Sequence, residues 1–308
     1  MAEALHQHAP RLALRARVKA GRLRLNPDMQ PAGIDTSPVS QAEAAGIERA
    51  DALAWADLYA AAPGDWAETV GLGTRWLGGT LVLSWAATGR RYFSRTLGLG
   101  VAEPATPDAL DEILAGWDQA GIEMFLVQSQ PHCRPEGYEE LLRGRGLEPF
   151  DRQDRILRGA EPAVPFASDL TVEPVEAATA DEWAEFLQRV YRLDTGAWLQ
   201  RLVGRPGWHP YVARRDGEVV QARTMYITAD GAAWLGMDGP VPGLMTEDYE
   251  PDTALCARIV EDGLQLGATS FLADIEAPSE TMDTPAYRNF GHLGFRVPYA
   301  RTHWTRPG

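Results

Sequence analysis

The chain has only two cysteines in 308 residues, Cys133 and Cys256. That excludes a disulfide-stapled scaffold, leaves too few thiolates for a zinc cage and points to a reducing, cytoplasmic compartment. Lysine occurs once, as Lys19, so arginine supplies nearly all the positive charge. Lys and Arg together number 29 against 43 Asp and Glu, a net charge of -14. A surface so short of cations is not one that neutralises nucleic-acid phosphates; it suits a neutral or cationic small molecule. No uninterrupted apolar run approaches the roughly 20 residues needed to cross a bilayer. What is present is ordinary for a folded chain, with 45% hydrophobic and 23% charged residues. At about twice the usual domain length, two domains are expected.

The basic residues are unevenly placed. Arg11, Arg15, Arg17, Lys19, Arg22 and Arg24 face only Glu3 and Asp28 at the start of the chain. An Arg-rich, acid-poor start resembles a transit peptide, but Ser and Thr are lacking before Thr36 and there is no apolar core of a secretory signal. The preferred reading is a frayed extension, or a translation start upstream of Met29. Pro27, Pro31, Gly33 and Pro38 then make an irregular linker. Residues 1–40 are thus read as a basic, flexible extension.

From residue 41 the apolar residues recur at helical spacing up to Pro63-Gly64. Short β-rich runs follow at 80–85 and 91–101. Pro107 opens a helix with Leu110, Ile113, Leu114 and Trp117 on one face, ending at Gly121. A strand at 124–128, a helix at 136–145 and a strand at 150–157 complete this half. After a proline-rich boundary at 159–168 the order repeats: a strand at 170–175, helices at 180–192 and 197–203, a hairpin about Asp216-Gly217, and a third strand from 232. A helix at 253–266, a strand at 270–275, a helix at 285–292 and a strand at 296–304 close the chain. Gly121 and Phe125 align with Gly267 and Phe271, and Gly146 with Gly294, so the spacing points to a duplicated αβ domain, not a solenoid.

The order of elements from Leu170 to Trp304 resembles the GNAT (GCN5-related N-acetyltransferase) fold. The most specific matches are the hairpin from Tyr211 to Val220 (YVARRDGEVV) and the ending from Ala286 to Phe295 (AYRNFGHLGF). The first half resembles the same domain more weakly, ending LRGRGL at Leu142 to Leu147. The expectation is therefore an α/β protein with a mixed sheet, built as two tandem GNAT-like domains at 41–160 and 161–308, the second being the better candidate for the active one. The resemblance implies an acyltransferase that moves an acyl group from acetyl-CoA or another acyl-CoA to an amine of a small molecule, with no metal, no nucleic acid and no membrane. Strands four and five of such a domain splay apart. The pantetheine arm lies along the fourth, and the pyrophosphate sits on backbone N–H groups at the start of the third helix.

Carried onto this sequence, the resemblance assigns coenzyme binding to Met237, Gly239, Asp252, Thr253, Ala254 and Asp283. The roles of base and acid go to Glu276 or Asp238, and to Tyr287. The sequence also departs from the family pattern. The family's glycine-rich phosphate loop is replaced by Glu247-Asp248-Tyr249-Glu250-Pro251-Asp252-Thr253-Ala254, where carboxylates crowd the site and Pro251 removes a donor. Phe290 stands where many members carry a tyrosine, and Tyr287 lies one helical turn earlier. In the first half, Gly98 and Gly100 serve either a phosphate loop or a strand bulge. Arg301 and His303 share one face of the last strand, either lining a cleft or facing solvent at a sheet edge. The alternative function is a GNAT-derived module without coenzyme A chemistry, which binds a small ligand or uses the cleft for another reaction.

Overall fold

The computed structural model describes residues 33–240, 249–276 and 285–307. Residues 33–40 run without regular structure, as the prolines require, but are not free: Asp35 O accepts from Val297 N at 2.7 Å, and Val39 is buried. Ser40 then caps α1 (Gln41–Ala60) through a capping box with Glu43. Helix α2 (Gly64–Val70) ends at Gly71 in the left-handed region, and leads into β1 (Leu72–Leu77), β2 (Thr80–Trp85) and β3 (Thr96–Leu97). Thr106 caps α3 (Pro107–Gln119), which is followed by β4 (Val127–Ser129), α4 (Tyr138–Arg143) and β5 (Glu148–Arg158).

The second half contains β6 (Thr171–Pro174), α5 (Ala180–Tyr191), β7 (Trp208–Arg215), β8 (Glu218–Ile227), β9 (Ala232–Pro240), α6 (Glu250–Gln265), β10 (Ser270–Glu276), α7 (Pro285–His292) and β11 (Arg296–Thr305). The fold is mixed α/β. A three-stranded antiparallel sheet has the order β1-β2-β3, and an eight-stranded mixed sheet the order β4-β11-β5-β10-β9-β8-β7-β6. The described residues form one compact unit.

That strand order is the feature the local patterns do not reveal. β5 lies between β10 and β11, antiparallel to both, and β11 lies between β5 and β4. Each half of the chain thus lends its last strand to the sheet of the other. β11 is an interior strand, not an edge, so Arg301 and His303 do not face solvent; both are fully buried. Alternation along β10 sorts the two faces of the sheet. Phe271, Ala273 and Ile275 join the apolar cluster with Leu255 of α6 and Phe290 of α7, whereas Leu272 joins the cluster with Leu58 of α1 and Trp183 of α5.

Candidate active site

β9 and β10 run parallel and pair only at Ala232–Ser270, Ala233–Phe271 and Trp234–Leu272. Beyond them β10 stays with β5, through Glu276–Gln153, while β9 stays with β8. A bulge helps to part them. Thr224 pairs with Gly236 but Ala222 pairs with Gly239, so β9 carries one extra residue, and Met237 takes φ 48°. The strands therefore splay into a wedge with β9 residues from Leu235 on one side and β10 residues from Ala273 on the other.

On the α6/α7 face of this wedge a charged cluster has formed around Arg223, whose side chain is 5% exposed. It donates to Asp238 at 3.0 Å and to Asp252 at 2.8 Å, and Gln221 donates to Asp252 at 3.3 Å. Burial opposes the charge of Arg223, but Asp238 and Asp252 outweigh it and hold the guanidinium well above its ordinary value. Asp252 is thus neutralised in place. Glu250 is likewise engaged, by Ser168 at 2.9 Å and Arg215 at 3.1 Å. α6 begins at Glu250, three residues before the expected start at 253, and Pro251 occupies its first turn. Thr253 N already donates to Tyr249 O at 3.0 Å, its hydroxyl donates to the same oxygen, and Ala254 is buried. Two of the expected backbone donors at this helix start are therefore committed or missing.

Asp238 sits in the bulge, and its backbone oxygen accepts from Tyr191 at 2.8 Å. Gly239 is a close-approach position: a Cβ there would stand 2.3 Å from Val190 Cγ1 of α5. Tyr287 is 1% exposed and donates to Asp154 Oδ2 of β5 at 2.7 Å; burial, with that bond, raises its phenol above the ordinary value. Glu276 closes β10, and Asp283 lies outside the described residues. Asp154 was missed by sequence reasoning because it reaches Tyr287 only through the exchanged strand. Arg223 carried a readable signal, a lone cation in the apolar run 219–226.

The α1 face of the wedge is equally polar. Asp51 of α1 receives Arg155 at 2.5 Å and Arg301 at 2.8 Å, both from the exchanged strands. Glu48, one turn earlier, accepts from Tyr299 at 2.8 Å. Asp274 of β10 lies 3.3 Å from Arg155 and pairs with Arg301. Beside them, the Gln128 amide donates to His303 Nε2 at 3.0 Å, which leaves the proton on Nδ1 for Asp151 at 2.6 Å. Burial pushes His303 below its ordinary value despite Asp151.

The corresponding wedge of the first half is closed by its own chain. A single bridge joins Arg95 to Leu126, and beyond it Arg134 N donates to Gly100 O at 2.8 Å and Ala105 N to Arg134 O at 2.8 Å. Gly98 and Gly100 have φ 78° and 81°, and a Cβ at Gly100 would lie 2.9 Å from Arg134 O. Gly100 thus admits the 130–135 loop, whereas a Cβ at Gly98 would stand 3.2 Å from Gly79 O. Among the described residues no cluster of His, Cys, Asp and Glu is arranged to hold a metal, and no helix is long and apolar enough to cross a membrane.

No family model matches the chain, and no curated protein matches it. Among solved structures it is similar to a GCN5-related N-acetyltransferase from Kribbella flavida, with 16% identity and a TM-score of 0.54 over 77% of this chain and 90% of that one. It is also similar to a GCN5-related N-acetyltransferase from Sphaerobacter thermophilus, with 16% identity and a TM-score of 0.50 over 88% of this chain and 96% of that one. At these identities the likeness establishes the fold. The chain has the GNAT fold that its element order resembles.

Proposed function

We propose that the protein is a cytoplasmic tandem GNAT-type acyltransferase, with domains at 41–160 and 161–308, whose working site is the wedge between β9 and β10. The observation that carries this reading is the parting of those strands after three paired residues, next to a bulge at Met237. Unpaired β9 backbone offers an extended ligand a partner strand, as the pantetheine arm of a coenzyme requires. The first half has filled its own wedge with the 130–135 loop, which favours the second half as the active one.

Acetyl-CoA or another acyl-CoA supplies an activated thioester when bound. Met237 and Gly239 line the arm, while Asp252, Thr253 and Ala254, with Asp283, flank the phosphates. A small-molecule amine attacks the thioester carbonyl, the C–S bond breaks, and two protons move. In this reading Glu276 or Asp238 takes the proton from the amine and Tyr287 returns one to the leaving thiolate.

A melting-temperature series with acetyl-CoA tests the reading, since a ligand that binds the folded state stabilises it by mass action. Saturable stabilisation, with free thiol released in the presence of an amine, supports it. No shift at millimolar acetyl-CoA overturns it. Tyr287→Phe is expected to lower kcat and leave acetyl-CoA affinity unchanged. A second reading, a ligand-binding module without coenzyme chemistry, is favoured by the helix start at α6, where Pro251 removes a donor, Thr253 N is occupied and Asp252 carries a carboxylate.

A further inference from the structure

Arg95 is 4% exposed, yet among the described residues its guanidinium makes no hydrogen bond and has no carboxylate within 4.0 Å, and its Nε is buried without a partner. The contact it does have is the face of Trp55, 4.3 Å from its carbon centre. A buried cation without a counter-ion is expensive, and an aromatic face replaces only part of an ion pair. The acids around it are shared with other cations. Glu48, Asp51 and Asp274 are shared between Arg155 and Arg301. Burial and the like charge of Arg301 hold Arg95 below its ordinary value, and Asp51 and Asp274, beyond 4.0 Å, offset them only in part.

Acceptors are left over on the same face of the sheet. Gln153 Oε1 is buried with no donor, and Asp274 Oδ1 accepts no hydrogen bond although Arg155 is near. Gln153 belongs to β5 and pairs in register with Glu276 at the end of β10, where the wedge opens. Aromatic rings border the region: Trp55 lies 6.3 Å from Phe93 and 5.9 Å from Trp234 of β9, with Trp55 and Phe93 only partly buried.

We infer that this face binds a carboxylate-bearing amine of the amino-acid type. Arg95 holds the carboxylate, Trp55 and Phe93 border an apolar body, and Asp274 with Gln153 receives the ammonium. The inference deepens the proposed function and rests on it in one respect, namely that the bound amine is the acyl acceptor. Binding itself does not depend on that. Arg95 is then kept unpaired for the ligand, at the expense of the ligand-free fold.

The test is thermal shift and calorimetry with the common L-amino acids and their decarboxylated amines, such as phenylalanine against phenethylamine and leucine against isopentylamine. The expected result is that at least one amino acid binds and its amine does not. Arg95→Gln should weaken that amino acid on the order of 10–100-fold, the loss of one charged hydrogen-bond partner. It should keep the acetyl-CoA shift, and its ligand-free melting temperature should equal or exceed that of the parent, which a purely structural arginine would not allow. Arg95→Lys, which retains the charge, should bind with intermediate affinity and decides the matter if the glutamine variant does not fold. Equal binding of amine and amino acid, no amino-acid binding at all, unchanged affinity in the variants, or the same shift from chloride or sulfate alone would overturn the inference. An amino-acid shift without an acetyl-CoA shift would instead sink the acyltransferase reading and leave this site standing.

Discussion

Arg223 holds the acidic start of α6 in check. Its two bonds to Asp252 turn a carboxylate that would repel a phosphate into half of a partly buried ion pair. Asp252→Asn should therefore tighten acetyl-CoA binding about fivefold, the equivalent of about 1 kcal/mol of Coulomb energy at a well-screened site. It should also cost about 1–3 kcal/mol of stability through the weakened charged hydrogen bond. Titration calorimetry reads the first and denaturant melts the second; unchanged or weaker coenzyme binding would count against the phosphate site. His303 gives a pH signature of its own. Its folded value lies below 6.5, so as pH falls through about 6.5 the unfolded chain gains a proton that the buried His303 does not. The melting temperature should decline from there toward pH 5, and His303→Asn should flatten that part of the profile. Some of this was legible in the sequence. Tyr287 and Asp238 stand out by position within a recognisable order of elements, whereas of the partners that set their behaviour Arg223 showed only as a cation in an apolar strand and Asp154 only as one of five successive polar residues at 151–155.

Elements with strong local signals emerged within a residue or two of the sequence reading. Pro107 and Thr106 fix the start of α3, and the apolar run at 80–85 is β2 in full. Where glycine overrode apolar pattern, the reading overreached. The expected strand at 91–101 is only Thr96–Leu97, because Gly98 and Gly100 turn the backbone into the left-handed region. β1 was overlooked, since Gly73, Thr74 and Arg75 lie partly or fully exposed and show no buried face. The bulged end of β9 makes a sharper test of element packing. Gly239→Ala places a methyl 2.3 Å from Val190 Cγ1 and should cost about 1–3 kcal/mol by pushing β9 from α5. Val190→Ala in the same chain should recover most of that loss and restore any lost coenzyme binding. A double variant as unstable as the single one would show that the two elements do not meet there.

At the scale of the molecule the exchange of β5 and β11 dominates. No local signal announces it, because strand pairing between residues more than a hundred positions apart leaves no periodicity to read. Its consequence for stability is direct. β5 pairs with β10 and β11, not with any strand of its own half, and Asp51 of α1 is buried against Arg155 and Arg301 from the two exchanged strands. Residues 33–160 and 161–308 expressed apart should each fail to give a cooperative melt, and co-expression should restore one. The intact chain should unfold in a single transition with matching calorimetric and van't Hoff enthalpies. Asp51→Ala, which leaves two buried guanidinium groups short of a counter-charge, should lower stability by about 3–5 kcal/mol without splitting that transition.

The same interleaving sets a schedule for biosynthesis. β5 leaves the ribosome roughly 140 residues ahead of the strand that will flank it on one side, a delay of roughly 7 to 30 s at ordinary elongation rates. For most of that interval, until β10 follows, the nascent chain carries a long β-segment with neither edge covered, so its yield in the cell should depend on a chaperone that shields the segment until the final residues arrive.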